Sequence, residues 1–91
     1  MKVHELKDRS SPEGLPPLLA ALWWDARGDW QKAHGLAQSV GSAEGAWVHA
    51  YLHRREGDLP NADYWYRRAG RVRPATSLEV EWAEIVQGLS S

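Results

Sequence analysis

The sequence predicts an all-α protein: two helix–turn–helix repeats closed by a C-terminal capping helix. Three observations carry this. Apolar residues recur at helical spacing in every segment after residue 14. A Gly-Asp pair punctuates the chain at Gly28-Asp29 and again at Gly57-Asp58, 29 residues on. Proline stands only where helices start or loops lie, at Pro12, Pro16, Pro17, Pro60 and Pro74.

Residues 1–14 are polar and hold Ser10-Ser11-Pro12-Glu13-Gly14, so they are expected to form an arm with little order of its own. The domain proper is expected over 15–91, with repeats at about 15–41 and 43–74 and a capping helix at about 77–89. Leu15-Pro16-Pro17 opens the first helix, and Leu18, Leu19, Leu22, Trp23 and Ala26 form its apolar face. Gly28 ends it, and Asp29 is suited to cap the next.

The second helix carries Trp30, Ala33, His34, Ala37 and Val40 on one face and stops at Gly41-Ser42. Ser42 can cap a third helix running to about Glu56. Asp58 caps a fourth, which takes Pro60 in its first turn and carries Leu59, Ala62, Trp65, Tyr66 and Ala69. Thr76-Ser77-Leu78-Glu79 has the form of a capping box. The last helix then shows Leu78, Trp82, Ile85, Val86 and Leu89 on one side.

Composition narrows the functional classes. The 91 residues contain no cysteine, which excludes disulfides and thiolate metal sites. The formal net charge is −1, so no global pull toward nucleic acid or anionic lipid exists. No stretch approaches a membrane span, and the first ten residues lack the apolar core of a signal peptide; a cytoplasmic location is expected. The chain has six Trp and no Phe. Each Trp brings a large apolar area and one N–H that requires an acceptor when buried.

Gly28-Asp29-Trp30-x-x-Ala33 aligns with Gly57-Asp58-Leu59-x-x-Ala62. This pattern resembles tetratricopeptide (TPR) repeats, in which a Gly-Asp turn joins two helices. The second unit adds Ala50, Tyr66, Ala69 and Pro74 at matching places. Ala62-Asp63-Tyr64-Trp65-Tyr66-Arg67-Arg68-Ala69 looks equally like a segment of Sel1-like repeats. The chain as a whole also looks like a group of short bacterial proteins. The spacing of 29 is shorter than a TPR period, and His49 and His53 stand where such repeats usually place apolar residues or Tyr. Two repeats are also fewer than the roughly three that a stable array needs, so the last helix or a second copy must cap the stack.

The resemblance implies a non-enzymatic protein-interaction or assembly module. Its inner helix face would be lined by Leu15, Leu18 and Leu22, then by Trp47, Tyr51, Arg54 and Arg55, and the latter four are the candidate contacts. The partner would be a protein or peptide, a second copy of the chain included. The alternative is that the C-terminal helix lies across these side chains and buries them.

A different reading rests on the histidines. His49 and His53 share a helix face at i, i+4, His34 lies in the preceding helix, and Glu56 follows three residues after His53. Together they form a candidate small-ligand or divalent-metal site; otherwise they are hydrogen-bonded imidazoles packed among Trp24, Trp30 and Tyr66. Six of the eight arginines fall in residues 54–73, where the net charge is +3. Trp65 and Tyr66 face inward by period, which leaves Tyr64 alone to stack on a base, so nucleic acid is not the expected partner. No nucleophile elbow or phosphate loop is present, and neither catalysis nor a resident cofactor is expected.

Overall fold

The computed structural model describes residues 1–90, and among them all regular structure is helical. Six helices follow one another: α1 (Val3–Asp8), α2 (Pro17–Ala26), α3 (Trp30–Gln38), α4 (Ala43–Glu56), α5 (Leu59–Arg68) and α6 (Leu78–Ser90). The all-α class is as the sequence predicts. The N-terminal segment is not a loose arm: α1 packs on α2 and α6, and its Leu6 is fully buried.

The Gly-Asp pairs form the same structure twice. After α2, the Gly28 N–H donates to Asp25 O (2.9 Å) and the Asp29 N–H to Trp24 O (3.0 Å). After α4, the Gly57 N–H donates to Arg54 O (3.1 Å) and the Asp58 N–H to His53 O (3.0 Å). Two orphan carbonyls at each helix end are thereby satisfied, and the geometry demands the left-handed conformation that Gly28 and Gly57 adopt (φ 82° and 89°). Each Asp then turns to cap the following helix. Asp29 accepts the Lys32 N–H and Asp58 the Asn61 N–H. The α2–α3 and α4–α5 pairs formed this way make the most extensive helix contacts in the chain.

Ser42 caps α4 by accepting the Gly45 N–H at 3.1 Å. At α6 the cap differs from the sequence expectation by one residue: Ser77, not Thr76, accepts the Val80 N–H (3.1 Å). The Thr76 carbonyl is instead taken by the Arg54 guanidinium, a contact between α4 and the loop before α6 that local sequence does not encode.

The core lies between α2, α4 and α6, with Leu22, Val48, Leu52, Ile85 and Val86 all fully enclosed. Tryptophan N–H groups tie its edges together. Trp82 donates to Leu22 O (3.1 Å), Trp30 to Leu52 O (2.8 Å) and Trp23 to Arg9 O (2.9 Å). Each ring thus adds apolar burial while its polar atom meets a carbonyl from another element. Among the described residues, no helix is long and apolar enough to cross a membrane.

Candidate metal centre at the α3–α4 junction

The inner face of α4 is covered by α6. Trp47 is 8% exposed and its ring lies against Gly88, where an added Cβ would stand 3.0 Å from it. Tyr51 is 1% exposed and donates its hydroxyl to Asp25 at 3.0 Å. Arg54 pairs with Glu81 at 2.8 Å, and Arg55 pairs with Asp25 at 3.1 Å. The four candidate contact residues Trp47, Tyr51, Arg54 and Arg55 therefore bond within the chain. The physical reason is area: a domain this small stabilises itself by covering its largest apolar strip.

Two buried carboxylates organise that interface. Glu81 is 1% exposed and accepts from Arg54, the Tyr66 hydroxyl (2.6 Å) and the Trp47 indole (3.4 Å). Asp25 is 2% exposed and accepts from Tyr51 and Arg55. Burial pushes the Asp25 carboxyl upward in pKa, against the opposing pull of Arg55 and Tyr51. Burial and the adjacent Glu81 raise the Tyr66 hydroxyl, which keeps it a donor. Sequence reasoning left both carboxylates unassigned, although the signal was present. Asp25 lies three residues after Leu22, and Glu81 three after Leu78, so each is a charged residue on an apolar helix face.

Much of the arginine cluster is also engaged within the chain. Arg73 pairs with Asp63 at 3.0 Å, Arg71 lies 3.4 Å over the Trp47 ring, and Arg68 packs over Tyr64 and Trp65.

The histidines converge. His34 Nε2 and His49 Nε2 are 2.9 Å apart, and the three ring centroids of His34, His49 and His53 are 4.6, 5.2 and 4.9 Å from one another. One ligand atom from each of the three lies within 4.8 Å of the others. His49 and His53 are buried, and His34 is half-buried. Aromatic rings wall the cluster: Trp30 stacks on His34 at 4.6 Å and Trp65 on His49 at 3.9 Å. Glu56 is placed behind the cluster, its Oε1 2.7 Å from His53 Nδ1. A second grouping of His53, Glu56 and Asp58 is exposed at its carboxylates, and Asp58 already serves as the α5 cap.

Burial favours the neutral form of His34 and His49. Burial, then the neighbouring His34 and His53, holds His49 down at a pKa of about 4. Burial and His53 also lower His34, with Glu56 acting in the opposite sense. Neutral imidazole is the form that ligates metal. Tetrahedral zinc with bonds of 2.0–2.1 Å places its nitrogens about 3.4 Å apart; the His34–His49 pair would open by about half an ångström, and a pair at the 4.8 Å limit of the cluster would close by about 1.4 Å. A cavity bounded by Gln38, Val40, Trp65 and Arg68 reaches His49.

No protein-family model, curated protein or solved structure matches this chain.

Proposed function

We propose that this chain is a small helical binding protein for a divalent transition-metal ion of the zinc class, held by His34, His49 and His53. The observation that carries the reading is the convergence of three imidazoles from two helices, with one ligand atom of each within 4.8 Å of the others. Nitrogen-only donors suit zinc, cobalt, nickel and copper, and disfavour magnesium and calcium, which take oxygen ligands. Glu56 acts from outside the coordination sphere: by taking His53 Nδ1 it leaves Nε2 as the ring's metal-binding nitrogen. The fourth position is left to water or a small ligand.

An interaction role on the inner helix face would require a partner to displace α6 and break the Arg54–Glu81 and Tyr66–Glu81 contacts. Metal binding needs no such rearrangement, and it is preferred on that ground.

Calorimetric titration of chelator-treated protein with Zn(II) at neutral pH tests the reading. One ion per chain is expected, with Mg(II) and Ca(II) giving no heat of binding. The double variant His49→Ala, His53→Ala should abolish the Zn(II) signal while retaining the helical circular dichroism spectrum. A wild-type chain that binds no Zn(II), Co(II), Ni(II) or Cu(II) would reduce the cluster to packed imidazoles.

A further inference from the structure

The three imidazoles join α4 to α3, a helix that packs extensively on α2 but stands outside the buried polar networks of the core. Two buried carboxylate networks tie the core helices together. Asp25 links α2 to α4 through Tyr51 and Arg55, and Glu81 links α6 to α4 and α5 through Arg54, Trp47 and Tyr66. Of α2 to α6, only α3 takes part in neither. It spans nine residues, fully buries only Ala33 and Ala37, and carries Gly35 in its interior. A helix of this length has little stability alone, and an interior glycine lowers it further. Its cross-helix polar contacts to α4 are the Trp30 N–H to Leu52 O and the His34–His49 bond.

We infer that the metal ion is the clasp of α3: its binding at His34, His49 and His53 controls whether α3 stays docked on α4. This rests on the metal-binding reading above and adds a regulatory consequence to it. His34 is the one ligand that α3 supplies, whereas His49 and His53 both belong to α4. An ion held by all three cannot remain fully coordinated when α3 lifts away. Docking of α3 and occupancy of the site are then linked equilibria, and availability of the ion is converted into order of one helix. The Trp30 ring, carried by α3 and stacked on His34, moves with that equilibrium.

Amide hydrogen exchange on the full chain, with calorimetry on the same sample, tests the inference. Without metal, amides of residues 30–38 are expected to exchange well ahead of those in the centre of α4. With Zn(II) at 100 times its Kd they should slow by roughly a hundredfold, the factor by which ligand suppresses an opening that releases it. In the His34→Asn variant, Zn(II) should leave the exchange of α3 within about twofold of its metal-free rate, whatever binding His49 and His53 retain. The inference is overturned if α3 is as protected as α4 without metal. It is equally overturned if calorimetry records binding while α3 exchange does not change, and in that case the metal-binding reading stands. Absence of any heat of binding overturns both.

Discussion

His34 Nε2 and His49 Nε2 stand 2.9 Å apart across the α3–α4 junction, close enough to share a single proton. At that distance one nitrogen donates and the other accepts, so the pair is satisfied when both rings are neutral. A second proton would turn the hydrogen bond into a contact between two donors and place like charges inside a partly apolar site. The geometry and the lowered pKa of both rings express the same constraint.

Acid should therefore destabilise the metal-free protein earlier than its carboxylates alone would. The His49 pKa is lowered from 6.5 to about 4 by folding, so the unfolded chain binds more protons between those values. Stability is full above pH 6.5 and falls as pH drops through this window. At about 1.4 kcal/mol per pH unit, roughly 2 kcal/mol is lost between pH 6.5 and 5. Urea midpoints at pH 7.5, 6.5 and 5 measure it, and His49→Gln should flatten the profile. A wild-type midpoint that is constant over that range contradicts the assignment.

Glu56→Ala should weaken Zn(II) binding without altering the fold. Glu56 is 36% exposed at its side chain and touches the site only through His53 Nδ1. Its loss frees that ring to rotate and lowers the basicity of the ligating nitrogen; roughly 10- to 100-fold in affinity is expected. Glu56→Gln, which keeps an oxygen acceptor, should restore part of it. Calorimetric Kd values for the three proteins decide the matter, and equal values would remove Glu56 from any role at the centre.

What the sequence discloses here is what short-range chemistry encodes. Both Gly-Asp turns and the caps at Asp29, Ser42 and Asp58 are legible because each depends on residues within one turn of itself. The pairing of His49 with His53 is legible for the same reason. The arrival of His34 is a tertiary event that the repeat pattern could suggest but not place. The inner face of α4 was open to two readings, since helical period gives the side on which Trp47 and Tyr51 lie and not what covers them. Glu81 on the apolar side of α6 was the available clue, because a carboxylate in that position requires buried donors opposite.

Glu81→Ala should be among the most destabilising single changes outside the aliphatic core. It leaves the Arg54 guanidinium, the Tyr66 hydroxyl and the Trp47 indole without their shared acceptor at a nearly closed interface. Removing one partner of such a network costs about 3–5 kcal/mol, a large part of the roughly 5–10 kcal/mol that a domain of this size commonly has. Because the penalty comes from stranded donors, Glu81→Leu combined with Arg54→Met should be milder than Glu81→Ala alone. Urea unfolding of both variants makes the comparison. A double variant less stable than the single would show that the pair itself, and not the stranded charge, supplies the stabilisation.

Leu6→Ala provides the corresponding test of the N-terminal segment. VHELKD carries two apolar residues three apart, too little for a helix to declare itself locally, so α1 owes its existence to what Leu6 meets. Leu6 is fully enclosed in the core cluster. The Trp23 indole and the Arg27 guanidinium both donate to the Arg9 carbonyl just beyond α1, which fixes the segment against α2. Truncating Leu6 removes buried methyl groups and leaves a cavity, for about 2–4 kcal/mol, whereas Met1→Ala at the exposed start should cost well under 1 kcal/mol. Thermal and urea midpoints of the two variants separate the cases. A Leu6→Ala protein as stable as wild type would return residues 1–14 to the status of an arm and leave the α2–α6 seam to close without them.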